Sequence, residues 1–121
     1  MNTLGRHLLV ELWGCARAID DPDAVREAVR EAVRLAGATL LHLEVHSYSP
    51  QGVTGVALLA ESHLAVHTWP EQGYVAADIY TCGTTADPNT AVRVLERCFG
   101  AKLVDVREIA RGARPSRAEL P

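Results

Sequence analysis

The chain carries no strong charge of either sign, no apolar run of membrane-spanning length and only three cysteines in 121 residues. With a net charge of −3 and basic residues mixed among acidic ones, it lacks the electrostatic footprint of a nucleic-acid or anionic-membrane binder. No stretch approaches the roughly 20 apolar residues that a bilayer crossing requires. The first residues, Met1 to Arg6, lack the apolar segment of a secretory signal, so a cytoplasmic location is expected. Cys15, Cys82 and Cys98 are odd in number and far apart, without a Cys-x-x-Cys pair or matching histidine spacing. That argues against a zinc site and against a disulfide framework. Gly-x-Ser-x-Gly is missing as well, which excludes the hydrolase elbow.

What is present suits one compact core: 48% of the residues are hydrophobic. Arg6 to Trp13 reads as a strand, and Asp21-Pro22 opens a helix that Gly37 ends. Val25, Val29, Ala32, Val33 and Ala36 make its apolar stripe, while Arg26, Arg30 and Arg34 belong to a solvated face. Leu41, Leu43 and Val45 alternate with His42, Glu44 and His46, which predicts a half-buried strand with the leucines inward. Further strands are expected over Val53–Ala60, His63–Thr68, Tyr74–Thr81 and Ala101–Ile109, with a turn at Ser49-Pro50-Gln51-Gly52. A second helix starts at Asp87-Pro88 and ends at Gly100, with Val92, Leu95, Cys98 and Phe99 inward. Cys15 and Cys98 are read as small core residues.

Two helices cannot cover both faces of a six-stranded sheet. The expected class is therefore α+β, a two-layer α/β sandwich with an antiparallel-rich sheet and both helices on one face. The bare face calls for a partner, and a second copy is the simplest one, so a homodimer forming a larger sandwich is expected. One domain is expected over residues 1–112, followed by a polar, proline-containing flexible tail at 113–121.

The chemically loaded stretch is Glu61-Ser62-His63-Leu64-Ala65-Val66-His67-Thr68-Trp69-Pro70-Glu71, followed by Thr81-Cys82-Gly83. A hydroxyl, an imidazole and a thiol on strands of one apolar core suggest covalent chemistry, since each needs a partner once water is removed. Taken singly, a strand serine, histidine or cysteine is more often a packing residue. A Ser-His pair completed by Asp78 is open on spacing alone. Trp69 reads as a packing anchor, and His46 and His63 as structural.

This run, with Gly5-Arg6-His7-Leu8 and Pro50-Gln51-Gly52-Val53-Thr54-Gly55, resembles the small prokaryotic S-adenosylmethionine decarboxylases over about Leu4 to Gly112. The resemblance implies a self-processing, pyruvoyl-dependent proenzyme cut between Glu61 and Ser62 into residues 1–61 and 62–121. Ser62 becomes the pyruvoyl cofactor, which binds the substrate amine as a Schiff base and serves as electron sink. The product would be decarboxylated S-adenosylmethionine, the aminopropyl donor for spermidine and other polyamines. By the same resemblance His67 is the proton acceptor in processing and Cys82 the proton donor in decarboxylation. Thr54 stands at a processing-assisting hydroxyl that is commonly serine. Glu71 would hold the ribose hydroxyls, and Tyr48, commonly phenylalanine, would stack on the adenine. Ser47 replaces a common arginine. Because some members act on arginine or ornithine, a basic amino-acid decarboxylase on the same scaffold is the alternative, and a non-processing binding or regulatory homologue a third reading. No metal site is expected.

Overall fold

The structure, a computed structural model, describes residues 4–115. Six strands and two helices follow one another along it, with four strands consecutive in the middle. They are β1 (Gly5–Trp13), α1 (Pro22–Leu35), β2 (Leu40–Ser47), β3 (Val53–Leu59), β4 (Ser62–Trp69), β5 (Tyr74–Thr81), α2 (Pro88–Phe99) and β6 (Leu103–Arg111). Single 3₁₀ turns at Arg17–Asp20 and Pro70–Gln72 link β1 to α1 and β4 to β5. The strands form one sheet in the order β2-β3-β4-β5-β1-β6, every neighbouring pair antiparallel.

Both helices begin as the sequence predicts. The Asp21 carboxylate accepts from the Asp23 N–H at 3.0 Å and the Asp87 carboxylate from the Asn89 N–H at 3.1 Å, each before a proline at the first helical position. Gly100 ends α2 at φ 62°, a left-handed conformation that costs other residues a Cβ clash.

Leu8, Val10 and Leu12 of β1, Leu64 and Val66 of β4 and Val75 and Ile79 of β5 point to one face. There they pack against Val25 and Val29 of α1 and Leu95 and Phe99 of α2 in a single core. The result is the expected α+β sandwich, helices on one side. On the other side the registers align two rows across the sheet: Thr54, His67, Ala76 and Glu11, and, four residues away, Leu58, His63, Tyr80 and His7. Among the described residues no other element covers this face, and Val56 and Leu58 are 40% and 52% exposed on it.

Three expectations fail. A register irregularity between Leu40 and His42 brings Leu40 onto the core and leaves Leu41 exposed, while Leu43 and Val45 pack inward as expected. Cys98 is exposed on the rim of the α2 stripe, where Ala91 and Val94 fill inward positions; partial desolvation still pushes its thiol up. Cys82 is also exposed and follows β5 instead of lying within a strand. Cys15 is half-buried against the core, its thiol likewise raised by burial. Of the expected tail, residues 116–121 lie outside the described part.

At one end of the bare face, Tyr74 stacks on Trp13 with ring centres 4.4 Å apart and donates its hydroxyl to the Glu11 carboxylate. Burial, then the Glu11 bond and charge, push its phenol up to about 12 from the usual 10. Since the folded value exceeds the unfolded one, the stability this adds is complete below pH 10 and is lost as pH climbs to about 12. Denaturant midpoints measured across that window should fall less for Tyr74→Phe than for the parent. Equal losses would contradict this assignment.

Candidate active site

β3 and β4 are joined through Ala60 and Glu61, and that tight connection sets the half-buried Glu61–Ser62 bond at the sheet's end. Three contacts hold it. The Glu61 side chain accepts from the Thr39 N–H at 3.0 Å, and its backbone carbonyl accepts from the Cys82 N–H at 3.0 Å and from the Cys82 thiol at 3.2 Å. Ser62 has φ 138°, the one non-glycine residue with positive φ among the described residues. A side chain there costs on the order of 1–3 kcal/mol, maintained only because the surroundings over-determine the backbone.

That strain has a measurable consequence. Ser62→Gly and Ser62→Ala both lack the hydroxyl, but only glycine relaxes at this φ. Ser62→Gly should be the more stable by about 1–2 kcal/mol in equilibrium denaturation. Equal stabilities would show that no strain resides at this residue.

The Ser62 hydroxyl lies 3.3 Å from His63 Nδ1. His63 Nε2 is 2.9 Å from an Asp78 carboxylate oxygen, and His7 Nε2 is 2.8 Å from the same oxygen. His7 Nδ1 in turn lies 3.0 Å from the Arg111 guanidinium. His7, His63 and Asp78 also form the one group of three metal-ligating side chains among the described residues, with ligand atoms within 4.8 Å. The Asp78 oxygen sits at hydrogen-bond distance from both imidazoles, so the group is a hydrogen-bonded network. Sequence reading treated His63 as structural and overlooked His7. All three lie on one face of β1, β4 and β5, but only the strand registers bring them together.

His67 is elsewhere. It sits five residues along β4 from Ser62, about 16 Å at the rise of an extended strand, with Nδ1 3.0 Å from the Thr54 hydroxyl. Around it is a cavity of about 360 Å³ lined by Tyr48, Gly52, Thr54, His67, Trp69 and Glu71 among others. Tyr48 is half exposed at its rim, and the Pro70–Gln72 turn supplies Glu71. The residues expected to act together thus form two groups at opposite ends of the bare face: Glu61, Ser62 and Cys82 at one, Tyr48, Thr54, His67 and Glu71 at the other. Of the three residues expected on strands of one core, Ser62 and His67 do share β4 but stand toward opposite ends of it, and Cys82 lies just past β5 at the Ser62 end.

The sequence pattern of the S-adenosylmethionine decarboxylase family matches residues 6–112. The chain belongs to that family. It is 49% identical over 113 residues to the S-adenosylmethionine decarboxylase proenzyme of Thermomicrobium roseum, covering 93% of this chain and 97% of that one. Against the proenzyme of Carboxydothermus hydrogenoformans the identity is 47%, with 93% and 89% covered. The proenzyme of Methanococcus maripaludis strain C7 is 44% identical, with 93% of each chain covered. The crystal structure of the adenosylmethionine decarboxylase of Aquifex aeolicus superposes with a TM-score of 0.87 at 34% identity, over 99% of this chain and all of that one. Members of the family come from bacteria and archaea alike, and the chain is a decarboxylase, a carboxy-lyase. Among the described residues no helix is long and apolar enough to cross a membrane.

Proposed function

We propose that the chain is a self-cleaving proenzyme whose mature form decarboxylates S-adenosylmethionine. The observation that carries this reading is the environment of the Glu61–Ser62 bond. A hydroxyl with a basic nitrogen beside it belongs to a strained residue, and the preceding carbonyl accepts from an N–H and a thiol. Those donors point where negative charge develops when the hydroxyl adds to the carbonyl.

The Ser62 oxygen attacks the Glu61 carbonyl carbon, the Cys82 N–H holds the resulting oxyanion, and collapse breaks the amide to leave an ester. Removal of the Ser62 α-proton by His67 expels the Glu61 carboxylate. The dehydroalanine left at the new terminus hydrolyses to pyruvoyl with loss of ammonia. The residues fit this group: the strained serine, the held carbonyl and the adjacent thiol all surround the atoms that become it. When formed, its carbonyl supplies the electron sink that decarboxylation needs. Cys82 then returns a proton to the substrate carbon. Glu71 pairs with the ribose hydroxyls and Tyr48 stacks on the adenine, both at the cavity wall.

Since His67 lies about 16 Å along β4 from Ser62, processing calls for a second copy. A two-fold axis through the bare face sets the Ser62 end of one chain against the His67 end of the other and creates two equivalent sites. Apolar side chains left exposed there, among them Leu9, Val56 and Leu58, support the homodimer. The functional unit is one domain over residues 1–112, in the cytoplasm, and its product serves as aminopropyl donor in polyamine synthesis.

The reading is tested by carbon dioxide release from carboxyl-labelled S-adenosylmethionine, arginine and ornithine in parallel. Release from S-adenosylmethionine alone is expected. Release only from arginine or ornithine would transfer the assignment to a basic amino-acid decarboxylase.

A further inference from the structure

The network behind Ser62 has a proton arrangement that can be worked out atom by atom. An ionised carboxylate only accepts, so each imidazole nitrogen facing the Asp78 oxygen is an N–H donor. The opposite nitrogen of each neutral ring is then a lone pair. His7 Nδ1 uses its lone pair to accept from Arg111, a guanidinium that only donates. His63 Nδ1 has its lone pair toward the Ser62 hydroxyl. Every nitrogen of the two rings is accounted for, and the arrangement leaves one basic site, aimed at the reacting oxygen.

We propose that His63 is the general base for the first step of self-cleavage, with Asp78 holding its tautomer and His7 and Arg111 positioning Asp78. This rests on the self-cleavage reading above and assigns a step within it. As the Ser62 oxygen bonds to the Glu61 carbonyl carbon, His63 Nδ1 takes the hydroxyl proton and becomes an imidazolium paired with Asp78. When the carbon–nitrogen bond breaks, that proton passes to the departing Ser62 nitrogen and His63 returns to neutral. No proton is gained or lost overall, and no other reactant is needed. The 3.3 Å separation is long for a resting bond and typical of a base that closes in only as the reaction proceeds.

The environment serves this role and little else. Tyr80 packs against both imidazoles, stacked on His7 at 5.0 Å and edge-on to His63 at 5.9 Å, and the two imidazoles meet edge-on at 5.8 Å, which restrains all three ring planes. A structural His-Asp pair would gain nothing from leaving its second nitrogen against a neighbouring serine at a scissile bond. His67 is excluded from this step within its own chain by distance, and it engages Thr54. The two histidines therefore divide the processing reaction: His63 forms the ester and His67 resolves it.

The test follows self-cleavage of freshly made protein by intact mass, with and without hydroxylamine, which cuts esters but leaves ordinary amides. The parent cleaves. His63→Asn keeps a polar atom near the Nδ1 position but cannot take a proton. It should process at least about a hundredfold slower, and hydroxylamine should not cut it, because no ester forms. His67→Ala should instead collect the ester and be cut by hydroxylamine between residues 61 and 62. Asp78→Asn should slow processing less, by about tenfold, and added imidazole should restore cleavage in His63→Ala but not in Asp78→Asn. Thermal melts of each variant separate loss of fold from loss of chemistry. Parent-like cleavage of His63→Asn, or ester accumulation in it, would overturn the inference while leaving the decarboxylase reading intact. A parent that never cleaves would overturn both.

Discussion

Ser62→Ala remains a single uncut chain and has no decarboxylase activity. The loss is total because one residue serves both stages: the Ser62 oxygen breaks the chain and leaves with Glu61, and the Ser62 α-carbon becomes the ketone that accepts electrons from substrate. Alanine offers neither, and no other serine or threonine sits beside a carbonyl held by two donors as Glu61 is among the described residues. Uncatalysed decarboxylation leaves a carbanion without a sink, so no residual route through His67 or Cys82 is expected. The variant should fold, since the Cys82 N–H to Glu61 bond and the Thr39 bond do not involve the hydroxyl. A cut chain in this variant, seen by mass, would move the scissile bond elsewhere.

The second large effect comes from combining two inactive proteins. Cys82→Ala disables the Ser62 end of the face and Glu71→Ala the cavity end; each alone should be nearly inactive. Co-expressed, half of the dimers carry one of each. In such a dimer one of the two sites unites an intact Ser62 end with an intact cavity end. The mixture should recover about one quarter of parental activity, the value expected from random pairing across a two-fold axis. If each site were built within one chain, every site in the mixture would carry a lesion and no activity would return. Measured decarboxylation of the co-expressed pair, against each variant alone, decides between these.

Much of the fold was legible in the sequence because its signals are local. Asp-Pro starts and glycine ends bounded both helices, and the α1 stripe is buried at all five expected positions. In β2 the alternation held for Leu43 and Val45 and failed only at Leu41, since a register irregularity between Leu40 and His42 leaves no residue signature and puts Leu40 on the core instead. Cys98 was misread because helical spacing marks the edge of a stripe as readily as its centre. At the site, the sequence singles out the Glu61-Ser62 run and Cys82, and the structure adds how they touch. The spacing of Ser62 and His67 was in plain view: five residues on one strand cannot be neighbours. It became informative only once both were assigned to β4. The network of His7, His63 and Asp78 depends on registers between strands distant in sequence, which no single-chain pattern reveals.

One measurement bears most directly on the whole account: the intact masses after incubation with S-adenosylmethionine and a mild reductant that traps the substrate amine on a ketone. Two chains are expected, residues 1–61 unmodified and residues 62–121 carrying the reduced, decarboxylated substrate at the new N-terminus. A single unmodified chain of 121 residues, or a cut chain that traps arginine or ornithine but never S-adenosylmethionine, would contradict it.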